Sequence, residues 1–133
     1  MNRDLRTFHD KRGSFPEKLE DLEGVVWEKK DRDYVSGGRS LIHRNYFYVY
    51  ARVNHHQFTL WAIPVGKERE EATTFFFIGK PNSKRSWKGP PLQLTDIDKL
   101  SENPTTANLN ILGLVEQHSN SAEKLKRWSR SQP

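Results

Sequence analysis

The chain contains no cysteine, which excludes disulfide frameworks, cysteine-ligated zinc and thiol nucleophiles, but not an exported location, since many exported proteins lack disulfides. It also lacks any apolar run near the ~18–20 residues that a membrane helix needs. Met1 opens directly onto Asn2-Arg3-Asp4, with no signal-peptide core. Apolar residues as a whole are scarce, at 34% of the chain, against roughly 45–50% for globular domains counted with glycine. Fifteen residues are nonetheless Phe, Trp or Tyr, so a few large rings, each burying about 150–250 Å², must supply most of the core. No G-x-S-x-G, H-E-x-x-H or phosphate-cradling glycine loop occurs, and Glu68, Glu70 and Glu71 have no His, Ser or Lys partner fixed by spacing. A non-enzymatic protein is therefore expected.

At 133 residues one domain fits. Residues 1–118 are read as that domain and residues 119–133 as a basic, flexible tail. The net charge of +5 is unevenly spread. Lys80, Lys84, Arg85 and Lys88 fall in one acid-free stretch, and Lys124, Lys126, Arg127 and Arg130 crowd the tail. Basicity confined to a loop and a tail argues against a fold built as a polyanion binder, and leaves Lys80, Lys84, Arg85 and Lys88 as candidate anion contacts.

Residues 1–12 read as a helix with Leu5, Phe8 and His9 on one side, stopped by Gly13. Pro16 suits the first turn of a second helix over Glu17 to Leu22, whose acids Glu17, Glu20 and Asp21 favour its N-terminal end. Residues 25–45 read mostly as connection, with a turn at Ser36-Gly37-Gly38. From Tyr46 the period becomes two: Tyr46, Tyr48 and Tyr50 face one way, and Phe47, Val49, Ala51 and Val53 the other. Asn54 to Gln57 form a turn, and Phe58, Leu60 and Ala62 alternate with Thr59, Trp61 and Ile63 until Pro64 ends the ladder. Thr73 to Ile78 and Ser83 to Trp87 continue the meander, which Gly89-Pro90-Pro91 closes. Two short helices follow, one capped by Thr95 over Asp96 to Glu102, the other begun at Thr105 or Thr106 and carrying Leu109, Leu112 and Val115 across Gly113. The expected fold class is α+β: an N-terminal helix on a three- to four-stranded antiparallel sheet, with short C-terminal helices.

The segment Gly13-Ser14-Phe15-Pro16-Glu17-Lys18-Leu19-Glu20-Asp21-Leu22, followed by a hairpin closing on Ala62-Ile63-Pro64, resembles the soluble part of type IV pilin-like proteins and type II secretion pseudopilins. In those proteins a long N-terminal helix ends near a G-x-(Y/F)-P-x-x-L-x-x-L segment. Gly13, Phe15, Pro16, Leu19 and Leu22 match that segment, and Tyr46, Tyr48, Phe58, Leu60, Ala62 and Pro64 match the hairpin. The resemblance implies a structural or interaction module of a secretion or pilus-type assembly, with protein partners or like subunits. It implies membrane attachment only through a hydrophobic helix that is not among these residues; with such a helix the domain would be periplasmic, and as written it would be cytoplasmic. Some pseudopilins bind calcium near the sheet. Neither Asp31 and Asp33 nor Asp96 and Asp98 come with the six to eight oxygens such a site needs, so no cofactor is expected.

His55 and His56, with His43 or His9, are the candidate transition-metal ligands. Adjacent strand residues point to opposite faces, so no metal site is expected of the pair. The main rival reading is a nucleic-acid-binding sheet in which Tyr46, Tyr48, Tyr50 and Trp61 stack bases beside Arg44, Arg52, Lys84 and Arg85. It requires the tyrosine face to be uncovered. A soluble protein-binding scaffold is the third reading.

Overall fold

A computed structural model describes residues 1–93 and 100–118. The first element is the helix α1 (Asn2–Arg12), ended by Gly13 in the left-handed region at φ 80°, where its N–H returns to the His9 carbonyl at 2.7 Å. Among the described residues seven strands follow: β1 (Asp33–Val35), β2 (Ser40–His43), β3 (Tyr46–Asn54), β4 (Gln57–Pro64), β5 (Thr74–Lys80), β6 (Ser83–Gly89) and β7 (Val115–Gln117). They form one antiparallel sheet in the order β1-β2-β3-β4-β5-β6-β7. A six-residue helix, α2 (Thr106–Ile111), precedes β7, with the Thr105 hydroxyl accepting the Asn108 N–H.

The sheet is thus the body of the protein. An α+β domain with a three- to four-stranded sheet and short C-terminal helices is overturned by these seven strands. The surplus strands are the short ones. β1 and β2 lie in the stretch that reads as connection, held by the β1–β2 hairpin and by the pairing of Leu41 with Tyr48. β7 replaces the continuation of the last helix: α2 stops at Ile111, Gly113 turns the chain at φ 85°, and Val115 pairs with Lys88. Gly89-Pro90-Pro91 therefore interrupts the sheet without completing it. The helix expected over Glu17 to Leu22 is a 3₁₀ turn over Leu19–Leu22. The N–H groups of Leu19 and Glu20 go instead to the carbonyls of Arg39 and Gly38 in the β1–β2 loop, at 3.4 and 3.0 Å. Of the helix expected over Asp96 to Glu102, residues 96–99 lie outside the described residues, as do the Thr95 cap and the tail over 119–133; residues 100–102 are not helical.

Alternation along β3 and β4 divides the apolar residues into two clusters on opposite faces. On one face Leu5 and Phe8 of α1 join Phe15, Leu19, Leu22, Leu41, Tyr50, Phe58 and Leu60. On the other, Trp61, Ile63, Phe76 and Trp87 are joined by Leu92, Leu109 and Leu114. A lone amphipathic helix of eleven residues is marginal in water. α1 is stable because Leu5 and Phe8 are buried against the sheet side of the first cluster.

Candidate functional site

The helix-bearing face is a lattice of cross-strand rows. Leu41, Tyr48, Ala62, Phe75 and Lys88 form one row; Tyr50, Leu60, Phe77 and Ser86 the next; Arg52, Phe58, Gly79 and Lys84 a third. α1 runs along this face from the Tyr46–Tyr48 end, where Met1 and Asn2 lie, to the β3–β4 turn, where His9 meets His56. Beneath it Tyr50 and Leu60 are fully buried and Phe58 nearly so. Phe58 also lies across Gly79, where an added Cβ would come within 2.1 Å of its ring.

Around the start of α1 the face stays partly open. Tyr46 and Tyr48 on one side and Phe75 and Phe77 on the other wall a depression of about 250 Å³ floored by Ala62, with Met1 and Asn2 at its edge. The small Ala62 side chain, registered between Tyr48 and Phe75, is what makes room between the two pairs of rings. Phe75 and Phe77 are near-parallel, with centroids 5.9 Å apart, and Tyr46 is fixed by donating its hydroxyl hydrogen to the Thr73 carbonyl at 3.0 Å. Burial raises the Tyr48 phenol above its ordinary pKa, aided by Tyr46, so it stays a neutral donor. A second depression of about 300 Å³ shares Met1 and Tyr48 and reaches Trp27, Arg32 and His43. There the Arg32 guanidinium covers the Trp27 ring at 4.7 Å and donates to Glu23 at 2.5 Å.

The sequence motifs fall unequally on this surface. Tyr46, Tyr48 and Ala62 form part of it; Phe58 and Leu60 lie under the helix, and Pro64 closes β4 opposite Tyr46. Phe15, Leu19 and Leu22 are fully buried core, and Phe15 meets Phe58 edge to face at 4.8 Å. Pro16 contributes its carbonyl, which accepts the Tyr50 hydroxyl hydrogen. The four candidate anion contacts do not converge. Lys84 and Lys88 share the face of the aromatic depression, Lys84 lying 5.6 Å over Phe77. Lys80 and Arg85 belong to the opposite face by alternation, and Arg85 is engaged by Glu116 at 2.9–3.1 Å. Sequence reasoning did not single out Phe75 and Phe77, although the alternation of Phe75, Phe77 and Gly79 against Phe76 and Ile78 was available to place them.

The opposite face carries a groove of about 340 Å³ lined by Trp61, Leu100, Ser101, Pro104, Asn108, Ile111 and Leu112, with the Trp61 indole N–H donated to the Ser101 carbonyl at 3.0 Å. Ile111 is the most exposed large apolar side chain there, at 81%. His55 and His56 occupy the turn between β3 and β4, not a strand, and His56 meets His9. Asp31 is exposed and Asp33 lies in β1; Asp96 and Asp98 lie outside the described residues. Among the described residues no group of three or more His, Asp or Glu side chains is placed to hold a metal, and no helix is long and apolar enough to cross a membrane. No family model, curated protein or solved structure matches the chain.

Proposed function

We propose that this chain is a non-enzymatic structural module of the pilin-like kind that associates with like subunits through the aromatic depression at the start of α1. One observation carries the reading: α1 covers the face over Tyr50, Leu60 and Phe58 but leaves Tyr46, Tyr48, Phe75 and Phe77 half-exposed around Ala62. Four half-open rings around a small floor suit a protruding apolar side chain, since aromatic side chains supply large contact area for association. The chain offers such a protrusion in Ile111, on α2, which packs through Leu109 against the opposite face. Hole and knob on opposite faces make a head-to-tail contact, the kind from which open filaments are built.

Sedimentation equilibrium over a concentration series tests this. The native chain should associate, Phe75→Ser and Ile111→Ser should each weaken association, and an equimolar mixture of the two variants should stop at dimers joined by their one intact pair of surfaces. A chain that stays monomeric at every concentration, or variants that associate like the native chain, would overturn the reading.

A second reading has one observation in its favour. Lys84 and Lys88 flank the half-open rings on their own face, as a base-stacking surface would require. Nanomolar binding of single-stranded RNA at about 0.15 M ionic strength, lost on Tyr48→Ala, would replace the first reading with this one.

A further inference from the structure

We infer that His9 and His56 form a two-imidazole site for a divalent transition metal of the copper(II) or nickel(II) class, clipping the C-terminal end of α1 to the β3–β4 turn. The two residues are 47 positions apart, yet His9 Nε2 and His56 Nδ1 lie 2.8 Å from one another. Each ring is set on a braced frame. The His9 carbonyl takes the Gly13 N–H that ends α1, and the His9 ring rests 4.8 Å from that of Phe15. The His56 N–H is donated to Asn54 Oδ1 at 2.8 Å, and the neighbouring His55 carbonyl accepts the Phe15 N–H at 2.8 Å. The Phe15–His55 main-chain hydrogen bond therefore joins the segment after the helix to the turn without using either imidazole, the pre-organisation a metal site needs.

The ligand set selects the metal class. The 2.8 Å between the nitrogens is that of a hydrogen bond between the rings, and it places both imidazoles within reach of one ion. Neutral imidazoles suit first-row metals, and copper(II) and nickel(II) stand at the top of the affinity order for nitrogen ligands. Without metal the rings meet end to end, with centroids 5.1 Å apart, and share one hydrogen. To take a metal, each neutral ring keeps its proton on the far nitrogen, Nδ1 of His9 and Nε2 of His56. Each then turns about its Cβ–Cγ bond until the lone pairs converge, a soft torsion for imidazole. His56 is exposed and His9 half-exposed, so water can complete the coordination shell.

A metal that bridges residues so distant in sequence binds the folded chain and stabilises it by mass action. The test is thermal unfolding of the full chain in increasing nickel(II) chloride, beside the electron paramagnetic resonance spectrum of one equivalent of copper(II). The native chain should melt higher as nickel is added, and its copper spectrum should show coupling to two imidazole nitrogens. His9→Gln and His56→Gln, both accessible and expected to fold, should each weaken nickel binding by about tenfold or more, because one imidazole remains. His55→Gln should leave both readouts intact. A melting shift of the same size in His9→Gln or His56→Gln, no shift in the native chain, or a copper signal that follows His55, would overturn the proposal.

Discussion

The hydroxyl of Tyr50, in the middle of β3, donates its hydrogen to the carbonyl oxygen of Pro16 at 2.5 Å, tying the segment after α1 to the centre of the sheet. Both residues are buried. Tyr50→Phe keeps the ring and strands the Pro16 carbonyl, so it should cost about 1–3 kcal/mol in urea unfolding. A variant as stable as the native chain would show that water reaches Pro16 and that the contact adds little.

Stability should fall in alkali. Burial pushes the Tyr50 phenol well above its ordinary pKa despite the opposing charge of Arg52, raises Tyr48, and pushes Tyr34 up to about 12 with the Glu23 carboxylate adding to the effect. In the unfolded chain these phenols ionise near pH 10. The unfolded state therefore releases protons first, and the stabilisation present below pH ~10 is lost as pH rises above it. Tyrosinate absorbance should develop later in the native chain than in urea, while the urea midpoint declines over the same range. Coincident absorbance curves would contradict the burial of these hydroxyls.

Two glycines should fail for different reasons. Gly13 has nothing within 4 Å of an added Cβ but sits at φ 80°. Gly13→Val should therefore destabilise by more than about 1 kcal/mol through backbone conformation alone, and Gly13→Asn by much less. Gly79 has an ordinary φ, but its Cβ would strike the Phe58 ring, so Gly79→Ala should cost about 1–3 kcal/mol through displaced packing. In the Phe58→Leu background, which removes that ring, Gly79→Ala should cost less, a coupling that a double-mutant cycle measures directly.

Phe8→Ala should cost about 3–5 kcal/mol, because Phe8 is buried in the cluster formed by Leu5, Phe15 and Phe58. Amide exchange should then accelerate first in α1 and not in β6, whose buried Trp87 belongs to the separate cluster with Trp61 and Phe76. Uniform acceleration across the sheet would mean that the two faces unfold as one unit.

Much of the central sheet was legible because each strand carries its own period. Tyr46 to Val53 and Phe58 to Ile63 alternate over enough residues to assign both faces, and the stop at Gly13 follows from what a residue without a Cβ can do. The short elements were not legible. Asp33–Val35 and Ser40–His43 are three and four residues long, too short for a period, and exist because their neighbours offer hydrogen-bonding edges. The turn after Pro16 has the composition of a helix, but its N–H groups find carbonyls in the β1–β2 loop, contacts that only the folded chain creates. Val115 fits a helical stripe and forms a strand because Gly113 reverses the chain beside the free edge of β6. The aromatic depression was half legible. Alternation put Tyr46, Tyr48 and Ala62 on one face, while register decided that Phe75 stands across Ala62 from Tyr48. The meeting of His9 with His56 was beyond sequence altogether: a helix end and a turn 47 residues apart become neighbours only when Leu5 and Phe8 bury their side chains against the sheet.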